Sequence, residues 1–174
     1  VIDLQKPFFF QKRRERSIEK ARKLNLHISE KFEAELFWET LLIPNLQNRF
    51  KLKPVHNILE INDLHQKFPD HISLHQIFLE NELLAGAMIW QNQQSVHAQY
   101  IAGSDFGKKS GALDFLFAHL IKKRYADQHF FSFGISTSDP QTLNQGLLDW
   151  KTGFGAKIVL HDIYKIETKN YINL

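Results

Sequence analysis

Three consecutive strand-like runs in the middle of the chain constrain its fold more than any other feature. They cover His71–Leu79, Leu83–Trp90 and Gln94–Ala102, and they are rich in β-branched, aromatic and other apolar residues. The turn-forming residues Asn81-Glu82 and Gln91–Gln93 separate them and leave room only for short hairpin connections. The sequence therefore predicts an antiparallel meander whose apolar face other elements must cover.

Helical patterns precede the meander. Apolar residues at helical spacing predict a first helix over residues 12–26 and a third over Ile58–Phe68, which Pro69 ends. A second helix is expected to begin at Ser29-Glu30 and to be disturbed at Pro44. These helices are candidates for covering one face of the sheet.

Strands and helices alternate after the meander. A polar loop over Gly103–Gly111 leads into an amphipathic helix around residues 113–121. A strand over His129–Ile135, a helix over Leu143–Lys151 and a strand over Ala156–Ile166 follow. This order predicts an α+β fold with a mixed, mostly antiparallel sheet flanked by helices.

The size and composition indicate one compact domain. A chain of 174 residues with a hydrophobic content of 43% can bury a sizeable core and is not disordered. We divide it into N-terminal basic and amphipathic helices over residues 1–50 and a core over residues 51–174. The longest apolar run, Leu83–Trp90, is too short for a membrane span, and no signal peptide is visible. We therefore expect a cytoplasmic protein without membrane insertion.

Positive charge is concentrated near the N-terminus. Residues 1–31 hold nine Lys and Arg residues and four acidic ones, a net +5, so the remainder carries −2 of the total +3. A basic segment such as Lys12–Arg16 can bind phosphates. The alternative is a solvated helix face on which Glu15 and Glu19 pair with neighbouring cations.

Several chemistries are excluded or disfavoured by residue type and spacing. The chain has no cysteine, which excludes disulfides, thiolate metal sites and cysteine nucleophiles. His71 and His75 would lie about 13 Å apart on a strand, too far apart to share a metal ion. The Gly-x-Ser-x-Gly turn of a serine hydrolase is also absent from the sequence. We therefore predict no metal site.

The polar loop at residues 103–111 is the strongest candidate for ligand binding. It joins the end of a strand to the start of a helix, where backbone N–H groups and the helix dipole favour an anion. Its three glycines allow a ligand to approach the backbone, and Lys108 and Lys109 add positive charge. The alternative is an ordinary connection with exposed lysines.

Four stretches together resemble the second acyltransferase domain of the FemAB-like branch of the GNAT (acyl-CoA N-acyltransferase) superfamily. The basic helix Arg13–Lys23 is similar to the family's R-x-x-I-x-K-A-x-K helix, and His97–Ala112 to its strand and following loop. Phe131–Gly134 resembles a strand that ends in D-F-G. Leu143–Gly155 resembles the run G-L-x-x-F-K-x-x-F-G and is the most specific of the four.

The resemblance implies a GNAT-like fold and the acylation of an amine. FemAB-like proteins usually carry two such domains in tandem, and members of the superfamily take the acyl group from acyl-CoA or from aminoacyl-tRNA. In GNAT folds the backbone of the fourth strand polarises the thioester carbonyl, and the next loop and helix N-terminus hold the pyrophosphate. That strand would be His97–Ala102 here, and that loop Gly103–Gly111.

Site residues follow from the same resemblance. The residues implied to hold an acyl-CoA donor are Ile101, Ala102, Gly103, Gly107, Lys108, Lys109, Ser110, Gly111 and Ala112. No carboxylate falls in the strand before the loop, so His97 and Tyr100 are the catalytic candidates, and His97 has the better-placed ordinary pKa for a general base. Asn144 and Lys151 in the last motif are candidates for substrate binding.

The sequence departs from the GNAT pyrophosphate signature at two positions: Lys108 stands where Arg or Gln belongs, and Leu113 where Gly or Ala belongs. The leading hypothesis is an acyltransferase that acts on an amine in cell-envelope or polysaccharide metabolism. One alternative is an aminoacyl-tRNA-dependent aminoacyltransferase of the peptidoglycan-bridge type, which the basic N-terminal segment favours. Another is a non-catalytic binding domain that keeps the fold. A missing N-terminal GNAT domain or a second copy of the chain is a possible partner.

Overall fold

The computed structural model describes residues 1–139, 142–160, 162 and 164. Its strands are β1 Ile2–Asp3, β2 Leu26–Ser29, β3 Ile72–Leu79, β4 Glu82–Gln91, β5 Ser95–Gly103, β6 Phe130–Ser132, β7 Thr137–Asp139 and β8 Thr142–Leu143. Its α-helices are α1 Lys12–Arg22, α2 Ala34–Phe37, α3 Ile43–Phe50, α4 Ile58–Lys67, α5 Asp105–Ser110, α6 Ala112–His119 and α7 Gln145–Thr152. Two π-helical turns, Trp38–Leu42 and Leu120–Arg124, join α2 to α3 and extend α6.

Six strands form one sheet in the order β1-β6-β5-β4-β3-β2. Every neighbouring pair is antiparallel except β5 and β6, which are parallel. β7 and β8 form a separate two-stranded antiparallel sheet. The predicted meander is β3-β4-β5, and the prediction of an α+β fold with a mixed, mostly antiparallel sheet is confirmed.

Two clusters of buried side chains lie on the sheet. One is covered by α1, α6 and α7 and is rich in aromatic rings, which include those of Phe117, Phe131, Phe133 and Phe154. The other is covered by the segment from Ala34 to Leu42 and by α4. Residues from both sides of the division at residue 50 enter both clusters, so the N-terminal helices are part of the core.

The second predicted helix differs from the structure at both ends. Residues 26–29 form strand β2, which the sequence pattern did not indicate, and the helix begins only at Ala34. The chain stays helical through Pro44, but the regular α-helix is interrupted directly before it by a π-helical turn in which the Ile43 N–H bonds to Trp38 O, and Pro44 falls in the first turn of α3. Proline is tolerated in the first turn of an α-helix, because the N–H group that it lacks would have no partner four residues earlier within that helix.

Two predictions for the second half of the chain are also corrected. Residues 105–110 of the predicted polar loop form helix α5, whose first turn Ser104 caps by accepting a hydrogen bond from the Gly107 N–H at 2.9 Å. The predicted strand over 156–166 is not formed at residues 156–160. Residues 161, 163, 165 and 166 of that prediction lie outside the described part of the chain.

Gly111 joins α5 to α6 at a point where a side chain does not fit. Its φ of +86° is left-handed, and a Cβ built on it would lie 2.2 Å from the backbone oxygen of Ser17 in α1. Strain at positive φ and overpacking against backbone together predict that Gly111→Ala lowers the free energy of unfolding by about 3 kcal/mol. Urea denaturation of the two proteins measures this difference.

Gly146 supplies the matched control for that substitution. It lies in α7, where the nearest atom to a built Cβ is Asn144 Oδ1 at 3.8 Å. Because alanine is the better helix former, Gly146→Ala should raise stability by about 0.5–1 kcal/mol. If Gly111→Ala proved as harmless as Gly146→Ala, the close packing of α1 on Gly111 would be wrong.

Candidate functional site

The candidate site lies where β5 and β6 separate. The two strands pair only from Ser95 to His97 on β5, opposite Phe130 to Ser132 on β6. β5 continues beside β4 as far as Gly103, with a bulge at Gln99, where the register shifts between the pairs Met88–Tyr100 and Ile89–Ala98. Within the described residues, the edge of β5 from Ala98 to Gly103 that faces β6 therefore has no strand partner, and its backbone can bind an extended ligand.

His97 stands at the point of separation. Its Nδ1 lies 3.3 Å from Ser132 Oγ on β6, and a Cβ built on Gly134 would lie 3.3 Å from its Cε1. Burial lowers the pKa of His97 below its ordinary value, with a smaller lowering from the charge of Lys151 and an opposing effect from hydrogen bonding to the Gln99 side chain. The imidazole is therefore neutral at pH 7 and able to accept a proton.

The Lys151 side chain, on α7, extends to the point where β5 and β6 separate. It is only 5% exposed, and its Nζ donates hydrogen bonds to the backbone oxygens of Gly134, at 3.1 Å, and Ile135. Burial lowers the pKa of Lys151 to about 8. These two hydrogen bonds fix the loop after β6, and they place the positive charge of Lys151 near the point where β5 and β6 separate.

The buried lysine has a consequence for stability. Its pKa is about 8 in the folded protein and near 10.5 in an unfolded chain, so the unfolded state binds more protons between these values. The free energy of unfolding should therefore gain a rising contribution as pH increases from about 8 to about 10.5. Denaturant midpoints measured across this range for the parent chain and for Lys151→Met should differ in slope, and equal slopes would contradict the burial of a titrating lysine.

Tyr100 is held by a residue that the sequence did not single out. Its Oη accepts a hydrogen bond from the His56 N–H at 3.2 Å and lies 2.7 Å from His56 Nδ1. Burial raises the pKa of Tyr100, so its hydroxyl remains protonated and has a proton to donate to His56 Nδ1. The Gln99 side chain, at the bulge between them, affects the pKa of both Tyr100 and His97, so the three side chains form one polar row that holds the two catalytic candidates.

His56 could not be found by spacing. It lies in the loop between α3 and α4, 44 residues from Tyr100 in the sequence, and only the packing of that loop on the sheet brings the two side chains together. The Trp38 indole Nε1 also donates to His56 O at 3.4 Å. The loop is therefore tied to the site by both its backbone and its imidazole.

The residues predicted to hold a donor follow β5 into α5 and α6. Ala102 is buried, Ile101 packs on the aromatic-rich cluster, and Gly103 O accepts from Asn45 Nδ2 at 3.2 Å. Lys108 Nζ donates to Asn45 Oδ1 at 2.6 Å, which directs this cation towards α3. Lys109 is exposed, and its backbone oxygen accepts from Lys20 Nζ at 2.7 Å.

The remaining four donor-binding candidates, Gly107, Ser110, Gly111 and Ala112, are packed. Ser110 Oγ donates to Gly107 O at 3.2 Å, Ala112 is fully buried in the core, and Gly111 contacts Ser17. A Cβ built on Gly107 would lie 2.1 Å from Leu84 O, so this glycine allows α5 to rest on β4. These glycines therefore serve close helix packing.

α1 crosses the start of α6 and the end of α7. Arg14 makes a two-oxygen ion pair with Asp114 at 2.6 and 2.7 Å, and the Trp150 indole donates to the same carboxylate at 2.7 Å. Arg13 donates to the backbone oxygen of Asp149. The basic helix singled out in the sequence thus lies against the helices that flank the strand separation.

Asn144 has a structural task at the start of α7. Its Oδ1 accepts from the Leu147 N–H at 3.0 Å, and its own N–H donates to Ser136 O at 2.8 Å. Among the described residues, no three His, Asp or Glu side chains are arranged to hold a metal ion. In the same part of the chain, no helix is both long and apolar enough to cross a bilayer.

Solved structures of acetyltransferases share this architecture. An aminoglycoside acetyltransferase from an uncultured soil metagenomic sample, in complex with sisomicin, is 18% identical with a TM-score of 0.56 over 82% of this chain and 97% of its own. AAC(6')-Iy, in complex with the bisubstrate analogue CoA-S-monomethyl-acetylneamine, is 13% identical with a TM-score of 0.55 over 82% of this chain and 98% of its own.

A third similar structure belongs to a larger protein chain. It is the C-terminal DUF2156 domain of a putative lysylphosphatidylglycerol synthetase from Agrobacterium fabrum, 12% identical with a TM-score of 0.52. The match covers 84% of this chain, which spans about half, 51%, of that structure. No protein-family model and no curated protein sequence matches. The likeness in structure, with a mixed sheet whose strands separate between β5 and β6, shows that this chain has the GNAT acetyltransferase fold.

Proposed function

We propose that this domain transfers an acyl group from an acyl-CoA-like donor to an amine. The observation that carries the proposal is the edge of β5 from Ala98 to Gly103, which pairs with no other strand of the described residues on the side of β6, with the neutral imidazole of His97 at the point where β6 separates. An acyl donor laid along this edge would place its carbonyl within reach of backbone N–H groups. The fold of the acetyltransferases described above supports this reading.

The residues of the site can perform the proton transfer that amine acylation needs. Donation of a hydrogen bond from His97 Nδ1 to Ser132 Oγ leaves the Nε2 lone pair free to accept the proton of the attacking amine. Backbone N–H groups near Tyr100 to Ala102 would stabilise the negative charge that develops on the carbonyl oxygen. As the new C–N bond forms and the C–S bond breaks, His97 passes its proton to the departing sulfur.

The residues that would meet the acyl end of a CoA donor fit it well. Those that would meet its phosphates differ from the usual GNAT arrangement. The N–H groups of Gly107 and Gly111 bond to Ser104 Oγ and Lys108 O, so these two donors do not offer an open phosphate cradle. Positive charge near the start of α6 comes in part from Lys20 on α1, whose Nζ donates to the backbone oxygen of Lys109 on α5. We propose that these side chains replace part of the usual backbone contacts to phosphate.

The basic side of α1 also favours a second donor. An aminoacyl-tRNA, which is the donor of the peptidoglycan-bridge members of the FemAB-like proteins that the sequence resembles, would meet the same cations, and the acceptor would then be an amine of the cell envelope. Binding to tRNA that falls steeply with added salt would support this donor. A chain that binds neither donor would be a non-catalytic domain that keeps the fold.

Thermal unfolding with donors tests the proposal. Acetyl-CoA at about 100 times its dissociation constant should stabilise the fold by roughly 2.7 kcal/mol, which raises Tm by about 5–10 °C for a domain of this size. Adenosine 3',5'-bisphosphate, which lacks the acyl and pantetheine parts, is the matched control ligand. No shift with acetyl-CoA, CoA or charged tRNA would overturn a donor site on this chain.

A further inference from the structure

The loop between α3 and α4 holds apolar side chains out into solvent. Leu52 is 54% exposed, Val55 is 84% exposed, and Leu59 in the first turn of α4 is 76% exposed. Lys51 and Lys53 flank Leu52 and are exposed as well. We name residues 51–59 the α3–α4 segment; between Lys51 and Asn57 its charged side chains are these two lysines alone.

This segment is fixed to the body of the domain by its backbone. The Leu52 N–H donates to Leu46 O at 3.3 Å, and the His56 N–H donates to Tyr100 Oη at 3.2 Å. The Trp38 indole holds His56 O at 3.4 Å. Because both ends are anchored, Leu52 and Val55 cannot turn into the core without the loss of these bonds. Their exposure is therefore built into the fold.

We infer that the α3–α4 segment docks on an anionic lipid surface. Exposed Leu and Val side chains beside lysines match the boundary between acyl chains and negatively charged headgroups, where apolar burial and charge attraction act together. The nearby Glu60 carboxylate is turned to the cap of α4, where it accepts the Asn57 N–H at 2.7 Å, and within the described residues it forms no ion pair with Lys51 or Lys53. A second copy of the chain is the poorer occupant, since a symmetric contact would bring like-charged lysines together.

The position of the segment gives this surface a use. His56 lies within it and holds Tyr100, so a lipid surface that contacts Val55 comes next to the polar row of the candidate site. An amine acceptor at the membrane surface could then enter the candidate site while it remains in the bilayer. Binding to lipid does not depend on acyl transfer, so the two proposals can fail separately.

A single fluorescent label can test the contact directly. The chain has no cysteine, so Val55→Cys provides one unique site for an environment-sensitive dye. The label should brighten and shift to the blue with vesicles of phosphatidylcholine that contain about one third phosphatidylglycerol, and not with phosphatidylcholine alone. Phe9→Cys, at a residue of similar exposure, is the matched control and should not respond. A response at Phe9 equal to that at Val55, or none at Val55, would overturn the inference.

Co-sedimentation of unlabelled protein with the same vesicles separates the two forces. Lys51→Gln/Lys53→Gln should weaken binding about 25-fold, since each lysine near an anionic surface contributes about fivefold. Leu52→Ser/Val55→Ser should weaken it at least about tenfold. Lys23→Gln/Lys31→Gln removes the same charge elsewhere and should have a much smaller effect. Equal losses of vesicle binding for the two lysine pairs would contradict a lipid contact at this segment. So would a Leu52→Ser/Val55→Ser variant that binds vesicles like the parent chain but no longer forms a dimer.

Discussion

Replacing His97 with glutamine should lower the rate of acyl transfer by about 10²- to 10⁴-fold, the usual contribution of a positioned general base. The imidazole lies 3.3 Å from Ser132 Oγ at the separation of β5 and β6, and burial keeps it neutral. Glutamine retains a hydrogen-bonding group of similar reach but cannot accept a proton at neutral pH. Binding of the donor, measured by the shift in Tm, should therefore change little while turnover falls.

The pH profile gives this prediction a second readout. Because burial lowers the pKa of His97, the rate should fall on the acid side at a pH below the ordinary histidine range, and His97→Gln should lack this limb. His129→Gln is the matched control, because His129 is exposed and lies before β6. A variant at His97 with the parent's rate and pH profile would remove His97 from the chemistry and leave only its packing on Gly134.

Replacing Asp114 with alanine should lower the free energy of unfolding by about 3–5 kcal/mol, as expected when one partner of a buried ion pair is removed. The Asp114 side chain is 6% exposed and that of Arg14 18%. Without the carboxylate, the Arg14 guanidinium and the Trp150 indole N–H stay in the interior without their acceptor. Since these bonds join α1, α6 and α7, their loss should also loosen the cover of the aromatic-rich cluster.

Chemical denaturation measures the effect, and two further variants bracket it. Asp63→Ala removes an exposed partner of Lys67, paired at 2.8 Å, and should cost less than about 1 kcal/mol. Arg14→Met/Asp114→Leu replaces the whole pair with apolar side chains and should recover much of the loss. A loss for Asp114→Ala no greater than for Asp63→Ala would show that the pair is solvated.

The sequence predicts best where a pattern repeats. Apolar runs bounded by turn-forming residues identified β3 and β4, and alternation identified β5, so that the whole meander was predicted. The spacing of Leu113, Leu116 and Leu120 identified α6. β1 and β2 have two and four residues, too few for any periodicity to show. They exist because the edges of the sheet bind them, which is a tertiary effect.

Local rules failed where tertiary packing prevailed. The glycines and lysines of residues 103–111 are typical of a loop, yet α5 forms because it rests on Leu84 O, where only a glycine fits at position 107. The sequence did contain a signal for it: Ser104 followed by Asp105 is a common helix start. At Pro44 the sequence predicted a disturbance of the helix, but no residue preference indicated that it would be a π-helical turn before the proline.

The candidate site was only partly within reach of the sequence. His97 and Tyr100 could be named because they share a strand that the family resemblance identified, and Gln99 at the bulge links them. The contact of Tyr100 with His56 spans two elements and has no sequence signature. The burial that lowers the pKa of Lys151 likewise arises only when α7 packs under the sheet.

The pairing of β1 with β6 also determines when the sheet can be completed during synthesis. Ile2 pairs with Phe131, and Arg14 on α1 meets Asp114, so the N-terminal elements must wait for partners more than 90 residues later. At 5–20 residues per second, Phe131 follows Ile2 from the ribosome after about 6–26 s. Throughout that interval α1 carries Ile18 and Ala21 without the core that later buries them. During this interval α1 is therefore a segment that we expect chaperones to bind.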